Sequence, residues 1–281
     1  MKVAGAKLLL TGATGGIGKA LAHALHAQGA RLVLTGRRLD VLTPLATELG
    51  AELIAADLSQ HADVERLAAE AADVDILVAN AALPASGNLL ELSQAQIDTM
   101  LEVNLRAPIA LTRALAPAMA SRGSGQIVLI SSLSGKAAAP VSSIYSATKF
   151  GLRGFAHGAR EDLRSSGVGV SVIMPGFIRD AGMFADTGLK LPPGVGTSSP
   201  EQVTSAVISA IERNRGEVTV APFGMRLGAN FAAVAPGIAA AAQRRMGAVK
   251  VARHVSERQA EKRPADKRSA DEHPAERPDV G

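Results

Sequence analysis

The feature that most limits what this chain can fold into is a rhythm. Seven short runs rich in Val, Leu and Ile ("KLLLT", "RLVLT", "AELIAA", "DILVAN", "GQIVLIS", "GVSVIMP", "EVTVA") recur along 281 residues, nearly all separated by helical patterns. Those patterns cover 17–28, a stretch to Leu49, 60–72, two pieces ending at Arg122, about 145–164, and 200–213. Runs without strict polar alternation read as strands buried on both faces, and strands joined through helices run parallel. The rhythm predicts an α/β fold: a doubly wound parallel sheet of the Rossmann type, in three layers and one domain. The 47% hydrophobic content includes only 2% aromatic residues, so the core must be made of small aliphatic side chains between closely spaced layers.

Composition removes several function classes. Without cysteine there is no disulfide framework and no thiolate metal site, and the six histidines form no ligand cluster, so no metal is expected. His23 and His26 lie three apart on one helix and read as a solvated face. The net charge of +4 is small, with acids and bases interspersed and no basic stripe, which argues against nucleic acid. The N-terminal apolar run is too short for a signal segment. "ANFAAVAPGIAAAA", from Ala229 to Ala242, is too short to span a bilayer and contains Pro236 and Gly237, so no integral membrane span and a cytoplasmic location are expected. The folded domain is expected over 1–248, with an extension from about 222, followed by a charged, proline-containing tail over 249–281 that has nothing to bury and is expected to be disordered.

The first strand leads into "TGATGGIG", Thr11 to Gly18. Glycines at 12, 16 and 18 allow a sharp turn and the close approach of a diphosphate to helix N-terminal amides. The second strand ends in "LTGRR". Arg37 stands where an acidic residue would take a ribose 2′-hydroxyl, and it suits a 2′-phosphate instead, whereas Arg38 reads as solvated.

Tyr145 is the only tyrosine, and Lys149 follows at i+4 on the same helix face. A neighbouring ammonium favours phenolate and draws the tyrosine pKa toward the range useful for proton transfer. Ser132 closes a strand thirteen residues upstream, at the edge where α/β sheets present catalytic groups.

With these residues in place the chain resembles the short-chain dehydrogenase/reductase family, in its form of about 250 residues, from Lys7 to about Ala221. The resemblance rests on "TGATGGIG", Asp57 in "AADLS", "ANAA" at 79–82, Asn104 in "EVNL", "ISSLSG", "YSATK" and "MPG" at 174–176, in the family's order. It implies a tetrad: Tyr145 as general acid/base, Lys149 lowering its pKa and holding the nicotinamide ribose, Ser132 orienting the carbonyl, and Asn104 supporting a relay water. It implies cofactor contacts at Gly12, Thr14, Gly16, Ile17, Gly18, Arg37, Asp57, Leu58, Asn80, Tyr145, Lys149, Pro175, Gly176 and Ile178, with NADP(H) favoured over NAD(H). The chain departs from the family pattern at Ala82, where glycine is common, and at Asp180, where a threonine often bonds the carboxamide. Nothing in the minimal pattern corresponds to the region after Ala221.

The expected reaction is hydride transfer between nicotinamide and a small-molecule carbonyl or secondary alcohol. Substrate should enter from the 178–199 loop past Ala82, Leu83, Ser134, Val141, Phe177, Met183, Phe184 and Leu189, a mostly apolar set that favours a hydrophobic substrate. A homodimer or homotetramer is implied through the helices near 106–122 and 145–164. Two rival readings remain: a dinucleotide-binding scaffold without chemistry, and a peripheral membrane protein using 223–246.

Overall fold

The seven apolar runs form one sheet in the order β3-β2-β1-β4-β5-β6-β7, with every pairing parallel. The structure, a computed structural model, describes residues 1–84, 87–188, 196–245, 252–253 and 257–258. Leu189 and most of the 249–281 tail therefore lie outside the described residues, as does the expectation of disorder there. The strands are β1 (Lys7–Thr11), β2 (Arg31–Gly36), β3 (Glu52–Ala55), β4 (Ile76–Ala79), β5 (Gly125–Ile130), β6 (Val168–Pro175) and β7 (Glu217–Val220). The strand order reverses between β1 and β4, which opens a crevice at their C-terminal ends.

Side-chain alternation assigns each strand to two cores. Leu8, Leu10, Leu32, Leu34, Ile76 and Val78 pack under α1 (Gly16–Ala27), α2 (Leu39–Leu49) and α8 (Pro200–Arg213). Leu9, Val33, Leu77, Ile127, Leu129 and Val172 face α3 (His61–Glu70), α5 (Ala107–Ser121) and α6 (Ser143–Asp162). This gives the three layers expected, and it explains the absence of polar alternation, since both strand faces are covered.

Local signals set several boundaries. Ser199 and Gln202 form a reciprocal capping box at the start of α8, with Pro200 as the first helical residue. Helix α4 (Gln94–Leu101) opens on a second such box, Ser93 with Gln96. Between α4 and α5 the helix widens into a π turn over Glu102–Arg106 that carries the buried Asn104. This is why the sequence reads as two helical pieces.

Beyond β7 the chain forms α9 (Phe223–Val234) and α10 (Pro236–Arg245), the first fastened to the body by a charged cluster. The Lys136 ammonium lies 2.6 Å from a Glu217 carboxylate oxygen and donates to Thr219 and, at 3.2 Å, to Asn230 Oδ1 on α9. The other Glu217 oxygen takes Arg153 at 2.7 Å and His157 at 2.9 Å from α6. Burial pushes the Glu217 carboxyl up, but the hydrogen bonds from Arg153, Lys136 and His157 outweigh it and bring its pKa to about 2.

Candidate active site

The phosphate turn leaves β1 through Gly12, which takes a φ of 69°. A Cβ there would stand 2.7 Å from the Ala81 Cα, and one on Gly18 would collide with the Gly12 carbonyl. Gly12 is needed for the close pass of the β1 end beside the β4 end, and Gly18 for the packing of α1 against its own turn. Helix α1 has no side-chain cap, and Gly15 and Gly16 are exposed, so no side chain takes up its first-turn amides. The segment after β6 lies against this turn: a Cβ on Gly16 would come within 2.5 Å of the Gly182 nitrogen, and Gly182 packs on Ile17. Thr14 is half-buried at the turn, where its carbonyl accepts from Arg38.

Around the turn the polar groups are held in place. Asn80 donates to the carbonyls of Thr11 and Gly12 at 3.1 and 3.2 Å, and the Thr11 hydroxyl accepts from the amides of Asn80 and Ala81, so the ends of β1 and β4 are tied together. Thr11 was not singled out from the sequence, although it opens the quoted motif. Arg37 lies 3.5 Å from Asp57. Burial alone would raise the Asp57 pKa, yet bonds from the Ser59 amide and hydroxyl, with Arg37 nearby, lower it overall. Leu58 beside it is buried. Uncapped amides, an exposed glycine cradle and one arginine–aspartate pair fit the diphosphate and adenosine ribose of a dinucleotide.

The four tetrad candidates come from three elements. Ser132 follows β5; its hydroxyl accepts from the Ser134 amide at 3.1 Å and acts on the Tyr145 phenol, favouring the phenolate. Tyr145 and Lys149 share one face of α6, with the ammonium 5.5 Å from the ring centroid. Lys149 is 1% exposed, and its Nζ donates to the Ile130 carbonyl at 3.0 Å. Ser131 donates to the Lys149 carbonyl at 3.0 Å, pinning α6 to the end of β5. Asn104 accepts from the Leu83 amide at 2.7 Å and donates to the Leu83 carbonyl at 3.0 Å, which fixes the irregular segment that follows β4.

One electrostatic expectation changes. Protein packs around the Tyr145 hydroxyl, and this burial raises the phenol pKa; the bond from Ser132 works in the opposite direction and is the smaller effect. The ammonium does not reverse the shift, because it is directed at Ile130 and is itself destabilised by burial, which lowers the Lys149 pKa to about 8.

The segment after β6 carries an apolar pair. Phe177 and Phe184 meet at 4.9 Å between centroids with their rings tilted by 54°, and Ile178 bridges to Ser198 across the base of the loop. Pro175 ends β6, and a Cβ on Gly176 would touch Leu133, Ala221 and Met225 at 3.2 to 3.4 Å. Met225 had no sequence signal, because the extension that carries it matched no motif. Asp180 has a φ of 67° and an exposed side chain that pairs with Arg179 at 3.4 Å, so it is turned to solvent rather than held for a carboxamide. Ala82 and Leu83 are half-buried, and Val141, with a φ of 55°, accepts at its carbonyl from Gly87. Ser134 and Met183 are half-buried nearby in the chain.

Comparison with known proteins follows the same outline. The family model described as short chain dehydrogenase matches residues 6–191. The ketoacyl reductase HetN of Nostoc sp. is 36% identical over 225 residues, 77% of this chain and 78% of that protein. Among solved structures, a short-chain dehydrogenase from Sphingobium yanoikuyae in complex with NADPH superposes with a TM-score of 0.70 at 28% identity, covering 76% of this chain and 87% of that one. A bulky-bulky ketone specific alcohol dehydrogenase from Comamonas testosteroni gives a TM-score of 0.68 at 27% identity, covering 76% and 85%.

Proposed function

This chain belongs to the short-chain dehydrogenase family, and from that premise we propose that it interconverts a hydrophobic ketone and its secondary alcohol, with NADP(H) as the favoured cofactor. The observation that carries the reading is the Tyr145 phenol, acted on by the Ser132 hydroxyl and one helical turn before a buried lysine whose ammonium lies 5.5 Å from its ring. The α1 turn with Pro175 and Gly176 would hold the dinucleotide, which when bound would supply hydride to a carbonyl carbon. Tyr145 gives its proton to the carbonyl oxygen, which Ser132 holds in line. A phenol with a raised pKa keeps that proton until negative charge develops on the oxygen. Lys149, with a pKa near 8, is placed to offset charge on the phenol as its proton leaves.

Arg37 supports the cofactor preference. A 2′-phosphate would compete with Asp57 for its guanidinium, and a carboxylate in its place would repel the phosphate. Phe150 on α6 and Leu101 at the end of α4 are exposed large apolar residues, which supports a homodimer or homotetramer that buries this part of the surface.

The test is a panel of ketones, aldehydes and alcohols followed by the absorbance of reduced cofactor, with both cofactors titrated against wild type and Arg37→Asp. The expected wild-type preference for NADPH is about ten- to hundredfold in affinity, reversed in the variant. Equal affinities for the two cofactors in the wild type would remove Arg37 from the reading. Cofactor binding without turnover on any member of the panel would instead support a dinucleotide-binding scaffold.

A further inference from the structure

The C-terminal helices carry their large apolar residues on the outside. On α9, Phe223, Leu227, Phe231 and Val234 are 79%, 60%, 49% and 87% exposed, and Ile238 on α10 is 66% exposed, whereas Ala229, Ala232 and Ala239 are buried. Steps of four, four and three residues gather the α9 set within about a quarter turn at 3.6 residues per turn. A helix that served only to cover the core would turn this stripe inward and leave its alanines in water. The inner face of α9 is already satisfied, with Met225 against Gly176 and Ala229 and Ala232 buried.

Charge selects what covers the outer face. No aspartate or glutamate occurs from Val218 to Ser256, while Arg226, Arg244, Arg245, Lys250 and Arg253 fall in that stretch. Arg226, Arg244 and Arg245 are exposed along the same two helices. A second copy docked through the same face by two-fold symmetry would bring these arginines toward their own counterparts with no carboxylate between them. An anionic lipid surface complements both the stripe and its flanking cations. No helix among the described residues is long and apolar enough to cross a membrane, so the contact is one of lying on the surface.

We propose that α9 and α10 dock this protein on an anionic lipid surface, with Phe223, Leu227, Phe231, Val234 and Ile238 in the boundary between headgroups and acyl chains. The start of α9 also borders the candidate active site, through Met225 at Gly176 and Pro222 at Gly196. If the proposed hydrophobic substrate is correct, docking brings the lipid phase next to the entrance. The docking itself does not depend on that reading, because its measurement contains no turnover.

The experiment is flotation of the full chain with phosphatidylcholine vesicles, with and without phosphatidylglycerol. Binding is expected only with the anionic lipid, falling as salt is raised. The pair Leu227→Gln and Val234→Gln should weaken it more than tenfold, and Arg244→Gln and Arg245→Gln about fivefold each. All four side chains are exposed, so melting temperature should stay at the wild-type value. Equal flotation with both vesicle types, no flotation, or flotation indifferent to both pairs overturns the proposal. So does an oligomer in light scattering that the Leu227 and Val234 changes break apart, which would mean that a second copy covers the face.

Discussion

Lys136 and Lys149 are both buried, both lie near the C-terminal edge of the sheet, and differ in their company. Lys136 has a carboxylate at 2.6 Å, and that carboxylate is in turn bonded by Arg153 and His157. Among the described residues Lys149 has no carboxylate partner, just the Ile130 carbonyl and the face of the Tyr145 ring, and burial brings its pKa down to about 8. The first region satisfies every charge it buries, and it serves to lock α6, β7 and α9 together. The second leaves an ammonium short of compensation, poised to gain or lose a proton at a moderate pH. A buried charge that is fully paired acts as an anchor, and one that is under-paired is available for chemistry.

The sharpest way to break this contrast is at the phenol that Lys149 serves. Tyr145→Phe should keep fold and cofactor affinity and lose about 10² to 10⁴-fold in turnover, since only the ionisable hydroxyl is removed. Near-normal turnover would return Tyr145 to a packing role.

Lys149→Met tests the under-paired side more directly. Turnover should fall about a hundredfold, while stability at neutral pH should hold or rise, because an uncompensated charge is removed from the interior. The folded-state pKa of Lys149 lies below its unfolded value of 10.5, so the unfolded chain binds more protons above about pH 8. Wild-type stability should therefore climb between pH 7 and 9.5, by about 2 kcal/mol, a rise that Lys149→Met should lack. Urea midpoints at the two pH values read this out, and parallel behaviour of the two proteins would show that burial does not set the lysine's proton affinity.

Glu217→Gln should do the reverse, leaving turnover within about twofold while lowering stability by about 1 to 2 kcal/mol, a figure already reduced for the partial exposure of the cluster. Here the folded pKa is depressed from 4.5 to about 2, so the stabilisation is complete above pH 4.5 and is lost as pH falls toward 2. Thermal melts across that window should slope less steeply in the variant. A variant that melts like wild type at neutral pH would mean that the cluster is not the anchor of α9.

Several parts of this molecule were legible without coordinates because their signals are local. The limits of α8 match the reading from Pro200 to Arg213, since a cap, a proline and a C-terminal turn residue lie within a few positions of each helix end. The pairing of Tyr145 with Lys149 follows from one turn of helix, and the parallel sheet follows from unalternated strands joined through helices. The phosphate turn was legible for the same reason, as its glycines act within eight residues of chain.

What only the tertiary structure decided are the contacts between residues distant in sequence. Lys136 meets Glu217, Arg37 meets Asp57, Gly16 meets Gly182, and Met225 meets Gly176, none of them through a shared local motif. Asp180 shows the same limit: it stands where a threonine often bonds the carboxamide, its own role was open from the sequence, and its backbone conformation turns it to Arg179 and solvent. The sequence by itself determined the layers, the strand direction and the placing of Tyr145 and Lys149 on one helix face, all of which depend on periodicities of two or four residues. The tertiary structure decided the proton affinities and the outward face of α9, because desolvation and ion pairing depend on which distant segments share a space, and no local pattern carries that information.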